Sequence, residues 1–126
     1  MELDTAAVHG GSLHDPQGGV TSPLITSSAF EYLNQAEVRY PRYFNSPNQA
    51  AVGKQVAALE GGQAGKVFSS GMAAISTCFL GFLVKGDHIV LQKNLYGGTT
   101  LLCNYLLPRL GIDFSYADGT PESIAQ

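Results

Sequence analysis

Three short clusters carry residue types from which a pocket for a phosphate and a planar ring can be built. The first is Val67-Phe68-Ser69-Ser70-Gly71-Met72-Ala73-Ala74. Glycine lets the backbone bend tightly and approach a ligand. A helix started there has N–H groups free to face outward, and its dipole favours an anion, most often phosphate. Ser69 or Ser70 adds a hydroxyl donor. The same residues also suit a plain strand-to-helix turn with a serine cap. The turn is neither a Gly-Lys-Ser/Thr phosphate loop nor a Gly-x-Gly-x-x-Gly fingerprint.

The second cluster, Tyr96-Gly97-Gly98-Thr99, follows a candidate strand. Ligands of open α/β sheets bind at the carboxyl ends of strands, which puts Tyr96 at the same rim as Gly71. A tyrosine there stacks on a planar ring or moves a proton; a boundary tyrosine filling space is the plainer alternative. The third, Tyr40-Pro41-Arg42-Tyr43-Phe44-Asn45, sets an arginine between tyrosines in a segment poor in other charges. Arg42 is an anion-ligand candidate, or else a solvated loop arginine. If the segment reaches a second subunit, Tyr40 and Arg42 complete that subunit's site.

Several elements must hold these clusters in place. Residues 1–46 mix glycine, proline and hydroxyl residues with little periodicity, so they are either disordered or lie across another surface; their apolar content (Leu24, Ile25, Phe30, Tyr32) favours an extended arm that docks. Residues 47–126 read as an α/β domain. A helix is expected from Asn48 as N-cap, with Val52, Val56 and Leu59 on one face and Gly61-Gly62 at its end. A buried strand at 66–69 follows, then a helix from Gly71 to about Val84 that is apolar on nearly every side and so belongs inside a layered fold. Further expectations are a strand at 88–92, a helix at 99–107 stopped by Pro108, and a strand at 112–116. That alternation predicts a mainly parallel sheet covered on both faces. Thr120-Pro121-Glu122 starts one more helix, which the chain leaves at Gln126 after barely a turn; this reads as a fragment of a longer protein.

The totals agree with that picture. The 126 residues are 44% hydrophobic and 13% charged, with a net charge of −3. This composition argues against disorder and gives no electrostatic reason to expect nucleic acid or an anionic membrane as partner. Cys78 and Cys103 lack a metal-ligand spacing and read as buried, reduced thiols of a cytoplasmic protein. No secretory signal or membrane-spanning apolar run is visible, and no metal site.

With these elements in this order, the chain resembles the Cys/Met-metabolism family of pyridoxal-phosphate enzymes, which carry out trans-sulfuration. The resemblance runs from His9-Gly10-Gly11 to Asp118. It includes Tyr40-x-Arg42-x-x-Asn45, Leu59-Glu60-Gly61-Gly62, Ser69-Ser70-Gly71-Met72-Ala73-Ala74, Tyr96-Gly97-Gly98-Thr99 and Leu107-Pro108-Arg109-x-Gly111-Ile112. It implies the N-terminal part of the large domain of a fold-type I (aspartate aminotransferase-like) enzyme, with pyridoxal 5′-phosphate as cofactor. It further implies that Ser70, Gly71 and Met72 bind the cofactor phosphate, and that Tyr96 stacks on the ring and assists proton transfer. Tyr40 and Arg42 would serve the neighbouring subunit's phosphate, in a homodimer or homotetramer built through the arm. The implied substrates are sulfur amino acids or homoserine esters, undergoing β- or γ-elimination or γ-replacement.

Two departures stand out. Ser46 separates Asn45 from Pro47 where the family reads Asn-Pro, and Gly98 takes the place of a cysteine common in methionine γ-lyases. No match exists for the lysine that anchors the cofactor: Lys54, Lys66, Lys85 and Lys93 all lie outside such a context. The fragment alone is therefore expected to be inert. A non-catalytic phosphate-binding or oligomerisation module is the alternative.

Overall fold

The computed structural model describes residues 2–124. The chain divides into two compact units, Met1–Val67 and Phe68–Gln126.

The first unit is organised by two helices, α1 (Leu3–His9) and α2 (Pro47–Glu60). Seven residues are too few to declare α1 through hydrophobic period, so the arm reads as irregular in the sequence. Helix α2 starts two positions earlier than expected. Ser46, not Asn48, is the N-cap, with Pro47 at the first helical position and Gln49 completing a capping box. Asn48 serves elsewhere: its carboxamide accepts from Ile25 N–H (3.1 Å) and donates to Ile25 O (2.7 Å). Gln55 Nε2 likewise donates to Ala7 O (2.8 Å). These bonds give the docking expected of the arm a definite partner, α2. Gly61, with a left-handed φ of 66°, ends the helix.

The apolar stripe of α2 does not face its packing partners. Val52, Val56 and Leu59 are exposed, whereas Gly53 and Ala57 are buried. Gly53 and Gly65 meet backbone to backbone, so closely that a Cβ on either would strike the other's carbonyl oxygen. Small residues, not large ones, therefore set the contact.

The second unit holds α3 (Gly71–Phe82), β1 (His88–Gln92), α4 (Gly97–Leu106), β2 (Asp113–Ala117) and a last turn, α5 (Pro121–Ile124). Strands β1 and β2 pair in parallel, with Ile89 opposite Phe114 and Leu91 opposite Tyr116. The core gathers Leu91, Cys103, Leu107 and Ile112, with Phe79, Leu83, Ile89, Leu95 and Phe114 packed around it. Pro108 stops α4 as expected and opens a short 3-10 turn, Pro108–Leu110.

Three expectations need correcting. Lys66 to Ser69 is not a strand: strand identity needs a ladder, and the two strands among the described residues pair with each other. The sheet is covered on one face only, since Val90 is 44% exposed while Leu91 beside it is buried. Helix α3 contains no fully buried residue, and its Phe82 is exposed. A two-stranded sheet has too little surface to enclose a helix that is apolar all round.

The cysteines divide as well. Cys103 is buried, and burial pushes its thiol above the usual cysteine range. Cys78, expected to be buried, is exposed. A water-soluble maleimide is expected to modify Cys78 in the folded chain within minutes and Cys103 only after denaturation. Peptide mapping of the product checks this; equal labelling of both thiols would contradict the packing. At the end of β2, hydrogen bonds from Ser123 and Thr120 hold the Asp118 carboxyl down to about 2. Among the described residues no helix is long and apolar enough to cross a membrane.

Candidate functional site

In the second unit, Ser70 caps α3. Its φ and ψ are extended, and its Oγ accepts from Ala73 N–H (3.0 Å). Ala74 N–H makes the first helical bond, to Ser70 O (3.0 Å). Gly71 N–H and Met72 N–H are thus left as donors that the helix does not use. A Cβ built on Gly71 would meet nothing within 4 Å, so there is open space beside the head of the helix. The Ser70 hydroxyl hydrogen is still available to an oxygen acceptor.

Tyr96 starts α4 from the other side. Its carbonyl accepts from Thr99 N–H (2.9 Å), Thr100 N–H (3.1 Å) and Thr100 Oγ1 (3.4 Å), which fixes the backbone, while the ring is 74% exposed. Two steps on, Gly98 explains how this ring comes near α3. A Cβ on Gly98 would stand 2.7 Å from Tyr96 Cε1 and 3.3 Å from Met72 Sδ. Without a side chain at this position, the ring and the thioether both come close to the backbone; a Cβ would make one of them shift. Thr99, buried, directs its Oγ1 toward Met72 Sδ (3.6 Å).

The Met72 side chain, from the first turn of α3, thus meets the start of α4 at Gly98 and Thr99, where the Tyr96 ring also comes close. Thr99 and the spatial role of Gly98 were not legible as site features. Their signal was the Gly-Gly-Thr run behind the tyrosine, which reads first as a turn.

Tyr40 and Arg42 belong to the first unit. They sit on the 3-10 turn Pro41–Tyr43, whose N-cap is Tyr40. The Tyr40 and Tyr43 rings meet edge to face at 5.3 Å. Arg42 is exposed, and no carboxylate among the described residues forms an ion pair with it. A guanidinium with its five donors uncommitted is suited to a planar or tetrahedral oxyanion.

The donor set suits a phosphate ester carried on a flat ring: backbone amides that the helix leaves unused, and an exposed tyrosine whose ring and the Met72 thioether both approach Gly98. A family model described as Cys/Met metabolism PLP-dependent enzyme matches residues 4–126, and the chain belongs to that family. It is 40% identical over 121 residues to the cystathionine beta-lyase MetC of Bacillus subtilis (strain 168), covering 94% of this chain and 31% of that one. It is 36% identical over 134 residues to the O-acetyl-L-homoserine sulfhydrylase of Corynebacterium glutamicum, covering 96% and 31%. Among solved structures, it matches cystathionine gamma-lyase from Lactobacillus plantarum complexed with L-serine with a TM-score of 0.86 and 36% identity, over 98% of this chain and 33% of that one. The chain is a mixed α/β segment matching the N-terminal part of such structures, and spans about a third of the length of these relatives.

Proposed function

We propose that this chain is the N-terminal part of the large domain of a fold-type I trans-sulfuration enzyme, with residues 1–46 as its arm and 47–126 as the start of its cofactor-binding domain. In this reading Gly71 N–H, Met72 N–H and the Ser70 hydroxyl hold the phosphate of pyridoxal 5′-phosphate. Tyr96 stacks on the ring, and its hydroxyl moves a proton at the substrate. Tyr40 and Arg42 are offered to the phosphate held by a second copy, which makes the arm the instrument of self-association. The observation that supports this most is the closure of Met72 and Tyr96 over Gly98, with two unspent amides alongside.

The cofactor, when bound, supplies an electron sink for the negative charge left at a substrate carbon after proton loss. The chain's own residues supply binding, orientation and proton handling. The whole enzyme would act in the cytoplasm on a sulfur amino acid or homoserine ester, by β- or γ-elimination or by γ-replacement. Lys93, the lysine nearest the site in sequence, bonds through its N–H to Ala117 O (2.7 Å), and its charge lies near Asp118 at the strand ends. That placement favours a chain inert by itself, able at most to bind a phosphate-bearing ligand.

The expected result is phosphate binding without turnover. In a heteronuclear titration with inorganic phosphate, the Gly71 and Met72 amides shift. Gly71→Val, which has room for its side chain, weakens binding about tenfold without altering the fold. With pyridoxal phosphate and borohydride, no stoichiometric lysine adduct forms and cystathionine is not consumed. Binding indifferent to Gly71→Val would sink the phosphate assignment, and a trapped lysine with turnover would sink the inert reading.

A further inference from the structure

The first unit contains a latch made by side chains on either side of its capping box. Two carboxamides, on either side of the Ser46 cap, tie the loop from Glu37 to Ser46 to the start of α2. Asn45 Oδ1 accepts from Tyr40 N–H (2.9 Å), and Asn45 Nδ2 donates to Val38 O (2.8 Å) and Glu37 Oε1 (3.3 Å). Gln49 Oε1 accepts from Ser46 N–H (3.2 Å) and Ser46 Oγ (2.7 Å), while its Nε2 donates to Pro41 O (3.2 Å). Gln49 thus caps the helix with one end of its amide and grips the turn with the other. Tyr40 takes one grip directly, and Arg42 directly follows Pro41, whose carbonyl takes the other. The loop also holds Phe44 in the left-handed region, at φ 57°. A non-glycine residue there is unfavourable by itself and persists only when its surroundings over-determine the backbone.

We propose that Asn45 and Gln49 are positioning residues, whose carboxamides lock the 37–46 loop so that Tyr40 and Arg42 are pre-formed for a phosphate brought by a second copy of the chain. The inference rests on the phosphate role assigned to those two residues above. Its physical basis is preorganisation. An exposed arginine on a mobile loop must be ordered when it binds, whereas one on a latched turn has its backbone fixed in advance. The Ser46 insertion, which departs from the family's Asn-Pro reading, belongs to the same device, since Ser46 links Asn45 to Gln49.

The test uses the 126-residue chain, inorganic phosphate as the probe, and two readouts: the Arg42 Nε shift for affinity and amide hydrogen exchange at Tyr40 for loop order. Asn45→Ala is expected to speed Tyr40 exchange at least tenfold and to weaken phosphate binding about fivefold to tenfold, with the thermal melt of α2 retained. Asn45→Asp keeps the acceptor for Tyr40 N–H but loses the donor to Val38 and crowds Glu37, so it should fall between. In a double-mutant cycle read at the Tyr40 and Tyr43 amides, Arg42→Ala with Asn45→Ala should bind no more weakly than Arg42→Ala alone.

Unchanged Tyr40 exchange in both Asn45 variants would show that there is no latch. Faster exchange with unchanged affinity would show a latch without a positioning role. Additive losses, or a melt that falls in step with affinity, would make Asn45 merely structural. If Arg42→Ala leaves phosphate affinity unaltered, the assignment of Arg42 to phosphate fails, and the exchange data still decide the latch.

Discussion

Leu107→Ala is expected to cost the second unit about 2–5 kcal/mol, and with it most of the packed structure around β1 and β2. Leu107 is wholly buried, against Cys103 and Ile112, where α4 gives way to the 3-10 turn. Its carbonyl also accepts from Leu110 N–H and Ile112 N–H (3.0 Å each), so the side chain anchors the backbone that turns into β2. Small domains have stabilities of roughly 0.05–0.15 kcal/mol per residue, and a unit of this length has only a few kcal/mol to lose. Equilibrium urea unfolding followed by near-ultraviolet circular dichroism measures the loss. Cys103 reports it independently, because its thiol should become alkylable in the variant under native conditions. A loss below about 1 kcal/mol, with Cys103 still protected, would mean that the side chain is not the centre of this core.

Gly53→Ala is the sharper expectation, because two effects of opposite sign compete. In an exposed helix interior, replacing glycine by alanine stabilises by about 1 kcal/mol through backbone entropy. At Gly53 the added methyl would strike the Gly65 carbonyl oxygen and stand 3.0 Å from the Gly65 carbonyl carbon. Both groups are backbone, so neither can swing aside as a side-chain tip would. Overpacking of this kind costs about 1–3 kcal/mol, and the net result should be a loss. Gly65→Ala meets the same obstacle from the opposite side, at 3.1 Å from Gly53 Cα. Thermal melts of both variants provide the check; a rise in melting temperature would show that the close approach relaxes freely.

What could be read from the sequence followed the reach of each physical signal. Elements set by local period or by strong breakers emerged near their true bounds: α3 from Gly71, β1 at His88–Gln92, α4 up to Pro108, and β2 one residue late. Elements set by a partner did not. Lys66 to Ser69 has strand composition without a ladder, and the stripe Val52, Val56 and Leu59 was real while the packed side of α2 was Gly53 and Ala57. Periodicity shows that a helix is two-sided; only the neighbour decides which side is used. The N-cap error had a visible remedy in Ser46-x-x-Gln49, a capping-box spacing. The site divides in the same manner. The Gly71 amides and the Tyr96 ring follow from a turn and a strand end, whereas the hold of Thr99 on Met72 and the grip of Asn45 on Tyr40 depend on side-chain directions that no linear pattern records.

The pairing of β1 with β2 across a single helix has a consequence for the order of events during synthesis. Each registered pair, from His88 with Asp113 to Gln92 with Ala117, joins residues 25 apart, so the unit closes only when the whole crossover through α4 is available. A nascent polypeptide would complete it soon after Ala117 leaves the ribosomal exit.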